Sequence, residues 1–376
     1  MISWLFYGLP ALLLAYLAAE RLMAGTYRKR LAHVVHVNGI RGKSTVTRLI
    51  GAGLQAGGYR VMTKTTGTLP MVIDPDGHET LIRRRGPASI GEQTRLLRRA
   101  VKAGANVLVV ECMAIDPRLQ FICQHRILRA DIGVITNVRH DHTDVMGDTL
   151  PEIAEALMNT VPKNGVLLTA DEAFFGVMEK RAAALSSRAV LARYGTEETP
   201  SGFPENEALA LSVLKELGVD KETATRGMAA YHPDPYAFCS LPFGSNVFLN
   251  ALSSNDVDST ERVYRMAREK LPADMPLVLL INDRADRPER TRQMLLLAQR
   301  LCPASVLLLG DHQAYLRRAL ARALPDTPVR RLRNAEALGE NDCKHSCILA
   351  VGNIKNEGMR LMNRLRAPAL EASHVR

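Results

Sequence analysis

From residue 31 onward, short apolar runs alternate with segments whose apolar positions recur at helical spacing. The runs "HVVHVNG", "YRVMTKTTG", "NVLVVECM", "ADIGVITNV", "NGVLLTA" and "AVLARYG" read as strands, and 92–104 and 151–161 between them read as helices. Runs of this kind lack polar–apolar alternation because both faces of a parallel sheet are covered. Strand–helix alternation therefore predicts an α/β fold with a mostly parallel sheet. "YHPDPYAF" at 231–238 carries two prolines and ends a helical stretch, which places a domain boundary there. Afterwards the pattern restarts with strands "NVFLNAL", "PLVLLIN", "ASVLLLG" and "CILAVGN" and helices over 259–271 and 288–301. The expectation is a central domain over 31–232 and a smaller α/β domain over 233–367.

The first segment, "MISWLFYGLPALLLAYLAAERLM", is apolar to Ala19 and carries no charge before Glu20. As a helix, that run is roughly 28 Å long, against a bilayer core of about 30 Å. Trp4 and Tyr7 suit an interface, and Arg21, Arg28, Lys29 and Arg30 come after the run. Charges after the apolar stretch oppose a cleaved signal peptide and, by the positive-inside rule, keep the rest of the chain in the cytoplasm. Pro10 is tolerated in a membrane helix. A single-pass anchor over 1–23 in the cell membrane, with cytoplasmic catalytic domains, is expected; an amphipathic or buried helix is the rival reading.

Composition adds a bias in partners. The 376 residues suffice for two ordinary cores, and 49 Lys and Arg against 39 Asp and Glu give a formal charge of +10. Such a balance favours nucleic acid, an acidic membrane face or an acidic substrate. The basic clusters, such as "RRR" at 83–85, have no interleaved aromatics, so nucleic acid is the least supported. The six cysteines are dispersed except for Cys343 and Cys347 around His345, and no second close pair completes a zinc set.

Candidate chemistry gathers where strands end. "VNGIRGKSTVTRLI" follows the first strand and opens a helix, the order that phosphate binding needs. The full phosphate-loop pattern wants glycine at Val37; here it is Gly39, giving G-x-x-G-K-S. Gly39, Arg41, Gly42, Lys43, Ser44 and Thr45 form the candidate cradle. Lys43 would meet the outer phosphates and Ser44 would offer a hydroxyl to Mg²⁺. Thr65, Thr66 and Gly67 end the second strand, and Glu111 ends the third with a hard oxygen ligand. Asn137, His140, Asp141, His142 and Asp144 follow the next in "TNVRHDHTD". Helix caps or a solvated loop explain each singly. Their convergence on one edge of one sheet is what a ligand site requires.

The set "NGIRGKSTVTRLI", "TKTTGT", "GPASIGEQ", "ECMAIDP", "TNVRHDHTDVMG", "ENEALALSVLKELGVD" and "VGNIKNEG" resembles the membrane-bound ligase subunit of poly-γ-glutamate synthases, a branch of the Mur ligase superfamily. The motifs run in the same order to about residue 365, and an anchor stands where cell-wall Mur enzymes carry a UDP-sugar domain. The resemblance implies a Mur-ligase-like ATPase domain and an ATP-dependent amide ligase that polymerises glutamate into poly-γ-glutamate. A carboxylate would take the γ-phosphoryl group, and an amine would then displace phosphate, so ADP and phosphate would be released. It further implies that Ser44 and Glu111 hold one Mg²⁺ and His142 another, that Lys43, Glu111 and His142 are catalytic, that Asn206 contacts adenine and that Asp256 reaches the ribose. Small membrane subunits of a synthase and export complex are expected partners, and self-association stays open.

Two departures stand out. The family's boundary segment has a form like P-D-P-G-x-x-R, whereas "PDPYAFCS" puts Tyr236 and Cys239 at those places. Arg284, Arg287 and Arg290 are candidate replacements, or simply a solvated helix start. The carbamylated lysine of many Mur enzymes has no convincing counterpart. The alternatives to a polyglutamate ligase are a folylpolyglutamate-type ligase and a membrane-anchored P-loop ATPase or nucleotide-binding scaffold.

Overall fold

The computed structural model describes residues 2–84, 86–195, 203–254 and 256–373. They fall into two compact units that divide between Pro233 and Asp234.

The first unit opens with helix α1 (Ile2–Lys29), which runs past the expected end of the anchor at residue 23. Among the described residues no helix is long and apolar enough to cross a membrane. The side chains of Trp4 and Arg21 lie outside the described residues. Tyr7, Leu9, Leu12, Leu13, Leu14 and Leu17 are exposed, whereas Ala24 near the C-terminal end is buried in the domain. Arg28 fixes that end through an ion pair with Asp131 (2.7 Å).

The chain continues through β1 (His33–Asn38), α2 (Lys43–Ala56), β2 (Val61–Thr65), β3 (Met71–Ile73), β4 (Glu79–Leu81), α3 (Gly91–Lys102), β5 (Val107–Glu111), α4 (Pro117–Ile122), β6 (Ile132–Ile135), α5 (Thr143–Met146), α6 (Leu150–Leu157), β7 (Val166–Thr169), α7 (Phe175–Ala184), β8 (Arg188–Leu191), α8 (Pro204–Glu216) and α9 (Lys221–Ala229). The eight strands are ordered β4-β3-β2-β5-β1-β6-β7-β8. All neighbours are parallel except β2–β3 and β3–β4, a hairpin edge that apolar periodicity alone did not signal. Val107 to Val110 are wholly buried because both faces of β5 are covered. One face packs Val35 and Val37 on Leu49, Leu209 and Val213; the other packs Val34 and Met62 on Leu96 and Leu97.

The second unit contains β9 (Cys239–Phe243), β10 (Asn246–Asn250), α10 (Val257–Arg268), β11 (Leu277–Asp283), α11 (Pro288–Leu301), β12 (Ser305–Gly310), α12 (Gln313–Ala323), β13 (Val329–Arg331), β14 (Cys347–Gly352) and α13 (Glu357–Ser373). Its sheet order is β13-β12-β11-β14-β10-β9, with only β9 antiparallel to its neighbour. The carboxyl ends of β11, β12 and β14 therefore share one edge.

His36, inside β1, is fully buried, and its Nδ1 meets Gln124 Oε1 at 2.9 Å in a π-helical turn over 123–128. Burial pushes its pKa down from 6.5 to about 4. The unfolded chain therefore takes up a proton that the folded chain refuses between those values. Stability from this residue is complete above about pH 6.5 and lost as pH falls towards about 4. The shift corresponds to ~3 kcal/mol. Thermal melts of His36→Gln, whose amide can still donate to Gln124, should show a shallower loss of stability across that window than the unsubstituted chain. Parallel pH curves would contradict the assignment.

Candidate active site

The loop after β1 makes two left-handed turns that glycine accommodates. Gly39 has φ 124°, and an added Cβ would collide with Thr136 Oγ1 and the backbone behind it. Gly42 has φ 80°, and a Cβ there would strike the Asn206 side chain. Asn206 sits in the first turn of α8 and is buried, so the adenine-contacting candidate is packed directly against the candidate phosphate loop.

Gly42 caps α2 and brings no side chain to its free amides. An uncapped helix N-terminus is where an anion gains both hydrogen bonds and a favourable dipole. Lys43 begins that helix, and its ammonium donates to Gly39 O (2.7 Å) and Ile40 O (3.2 Å). Desolvation lowers its pKa, with Arg41 acting in the same direction and Glu111 opposing it.

Ser44 donates to Glu111 Oε2 at 2.8 Å, and the Thr66 amide donates to the same oxygen at 2.6 Å. Glu111 is 3 % exposed, a buried carboxylate supported by two donors. Ser44 and Glu111 thus come together as their sequence roles require, with Thr66 holding the carboxylate in place. A hydroxyl and a carboxylate are hard oxygen donors of the kind a small divalent cation takes.

Arg41 lies two residues before Lys43 in the same loop. Its guanidinium meets Asp141 Oδ2 (2.9 Å), and that same oxygen stands 3.7 Å from His142 Nε2. The Arg41 amide donates to Asn137 Oδ1 (3.0 Å), and its carbonyl accepts from Thr136 Oγ1 (2.6 Å) and Asn137 Nδ2 (3.1 Å). The candidate phosphate loop is therefore clamped by "TN" after β6, and Arg41 serves as its tether. Thr136 was missed because a threonine that ends a strand carries no chemical signature. His142 adopts a left-handed conformation (φ 52°) at the start of α5. Thr45 lies in the first turn of α2 and is partly buried.

Lys64 was also not singled out. It is 1 % exposed within β2, pairs with Glu92 (3.6 Å) and approaches Met113 Sδ (3.4 Å); burial lowers its pKa. A lysine in the strand "VMTKT" was the available signal. Among the described residues, three Asp, Glu, His or Cys ligands come within 4.8 Å of one another only at Asp74, Asp76 and His78, on the β3–β4 turn.

In the second unit, Asp256 caps α10 by accepting from the Ser259 amide (2.8 Å). Cys239 is joined by a guanidinium from another element: Arg366 Nη2 donates to its Sγ (3.4 Å) and lies over the Tyr236 ring at 5.9 Å. Arg284 pairs instead with Asp286 (2.7 Å), and Arg287 precedes α11. The arginine beside Cys239 thus comes from α13, more than a hundred residues away in sequence, where local spacing could not reveal it.

Two comparisons decide the family. Residues 37–212 match the Mur ligase middle domain, and residues 241–368 match the poly-gamma-glutamate synthase CapB C-terminal domain. The chain is 42% identical over 273 residues to PGA synthase CapB of Bacillus subtilis (strain 168), covering 69% of each protein. It is 35% identical over 356 residues to the capsule biosynthesis protein CapB of Bacillus anthracis, covering 87% of this chain and 76% of that one. The chain belongs to the CapB family of poly-γ-glutamate synthases, within the Mur ligase superfamily.

The architecture of this CapB-family chain agrees with solved Mur-type folds. A Mycobacterium tuberculosis folylpolyglutamate synthase complexed with ADP and AMPPCP superposes with a TM-score of 0.68 at 15% identity, covering 91% of this chain and 93% of that one. MurF from Acinetobacter baumannii gives 0.64 at 15% identity, covering 92% and 80%.

Gly42→Ala places a Cβ at positive φ and against Asn206. It should cost about 1–3 kcal/mol of stability. It should also abolish the rise in melting temperature on adding ATP, read by thermal shift. An unchanged ATP-induced shift would remove the loop from nucleotide binding.

Proposed function

We infer that the chain is an ATP-dependent amide ligase that polymerises glutamate into poly-γ-glutamate. The observation that carries this reading is the meeting of the α2 N-terminus, Lys43, Ser44 and Glu111 in a chain with CapB relatives along most of its length.

The chemistry must bring a substrate carboxylate to a triphosphate, and the two repel. Lys43 leaves its loop carbonyls to offset charge on the transferring phosphoryl group, and the amides that open α2 bind the phosphate oxygens. Ser44 and Glu111 would hold a divalent cation, proposed as Mg²⁺, which would supply charge neutralisation. The Thr66 amide keeps the Glu111 carboxylate aimed. Asn206 positions the base end of the nucleotide, and Arg41, through Asp141, sets the place of His142 near the reacting groups. Asp256 is proposed to reach the ribose. The carboxylate attacks the γ-phosphorus to give an acyl phosphate and ADP. The amine of the next glutamate then attacks the acyl carbon, and phosphate departs.

Full-length protein supplied with ATP, Mg²⁺ and glutamate should release ADP and phosphate with γ-linked product. Lys43→Ala should reduce the rate by about a hundredfold or more. Release of AMP would replace acyl phosphate with adenylation, and glutamate-independent ADP release would favour a plain ATPase.

We propose further that α1 anchors the chain in the cell membrane, with the catalytic units on the cytoplasmic side and small membrane subunits forming the export path. Support comes from the row of exposed leucines at 9, 12, 13, 14 and 17, which water alone leaves uncovered. In cell fractionation the full chain should stay in the membrane pellet through an alkaline carbonate wash. Its appearance in the wash would sink the anchor.

A further inference from the structure

Two cations share one carboxylate near the carboxyl edge of the first sheet. Glu92, in the first turn of α3, takes Arg84 on both oxygens: Nε donates to Oε1 at 2.6 Å and Nη2 to Oε2 at 3.2 Å. Lys64 Nζ stands 3.6 Å from the same Oε2. Two positive charges against one negative leave one positive charge in excess. The Lys64 side chain is 1 % exposed, and its other polar neighbour is Met113 Sδ at 3.4 Å. Among the described residues, its three N–H donors thus meet a weak thioether acceptor and one oxygen beyond ordinary hydrogen-bond range. Arg84 uses one edge of its guanidinium on Glu92, which leaves Nη1 outside the pair.

The next residue gives an independent signal. Gln93 is wholly buried, and neither its Oε1 nor its Nε2 has a hydrogen-bond partner. Buried amides are almost always paired, so this one marks a place for a polar occupant. Gln93 shares the buried face of α3 with Leu96, Leu97 and Ala100, which pack with Met62, Leu108 and Val110. It stands one turn nearer the helix start than Leu96 and Leu97, and Lys64 stands two residues nearer the strand end than Met62, on the same face of β2. Because α3 leads directly into the parallel strand β5, it opens at the carboxyl edge, and both side chains lie towards that edge.

A surplus positive charge with spare donors, beside an unpaired amide, is completed by a carboxylate. The strand ends indicate which one. Lys64 precedes by two residues Thr66, whose amide holds Glu111, and Met113 follows Glu111 by two. The Cα atoms of Lys64 and Thr66 are at most roughly 7 Å apart. The two carboxyl carbons of glutamate are four bonds apart, roughly 5 Å when extended, a span of the same order. We propose that Lys64, Arg84 and Gln93 receive the α-carboxylate of the glutamate unit whose γ-carboxylate is activated beside Lys43, Ser44 and Glu111. The inference rests on the ligase reading above, and all six residues belong to the first unit. No bond is made or broken here; the subsite selects and orients the donor. Every unit of a γ-linked chain keeps a free α-carboxylate, so the same contacts serve a free amino acid and a chain end.

The test uses full-length protein with ATP, Mg²⁺ and hydroxylamine, which traps an acyl phosphate as a hydroxamate. Free glutamate and a short γ-linked oligomer are each supplied with the α-carboxylate of the reacting unit free or converted to its amide. The unsubstituted protein should favour the acid over the amide by about tenfold to a hundredfold in kcat/KM. Lys64→Met should remove most of that preference by raising KM for the acid, with little change for the amide. Arg84→Gln, nearer the surface, tests the same point should Lys64→Met melt early, and Arg84→Lys should keep part of the preference. Thermal melts with and without ATP check that each variant folds and still responds to nucleotide. An unsubstituted protein that treats acid and amide alike would overturn the proposal. So would variants that slow both donors equally, since the cluster would then serve structure alone. Absence of hydroxamate with every donor would instead overturn the ligase reading, and this inference with it.

Discussion

The Glu111 carboxylate is the constraint on which the first unit's site depends. One buried oxygen receives the Ser44 hydroxyl and the Thr66 amide, so the ends of β2 and β5 and the start of α2 are fixed by a single carboxylate. Hydrogen bonds to a charged group are worth about 1.5–3 kcal/mol each, and leaving such a group unsatisfied costs more. The carboxylate is thus held in place by donors from two separate segments. Removing either donor would loosen the site and leave a buried charge poorly solvated, which couples local stability to function.

A second tie acts from the opposite side of β1. Thr136 and Asn137 hold the backbone of Arg41 at both its amide and its carbonyl, while the Arg41 side chain reaches Asp141. The candidate phosphate loop is therefore shaped by the end of β6 and not by its own sequence alone. Gly39 and Gly42 permit this because the neighbouring side chains fill the space that a Cβ would need. A loop braced in this way holds its amides in fixed directions, the property by which preorganised dipoles act on developing charge.

The second unit repeats the layout with different chemistry. Its parallel strand ends carry Asn282 to Arg284, Gly310 to His312 and Gly352 to Asn353 along one edge. Asn282 is consumed structurally, donating to the carbonyls of Asn353 and Lys355, and Asp283 is committed to Thr291 and His312. What this edge presents outward is an imidazole with its orientation set from within.

The alternation of buried strands and helices was legible in the residue pattern, because continuous apolar runs such as "NVLVV" have no stable place other than a sheet covered on both faces. The strand–loop–helix order around Gly39 to Ser44 was legible too, and the meeting of Ser44 with Glu111 was expected from the family resemblance. Relations that span distant segments came from tertiary packing. Thr136 clamps a loop 95 residues earlier, Arg366 reaches Cys239 across 127 residues, and Asp283 orients His312 across 29. The hairpin edge of β3 and β4 was equally hidden, because three-residue strands carry too little periodicity to read. Side chains that act through a partner far along the chain leave no local pattern, and only the packing of the sheet brings that partner within reach.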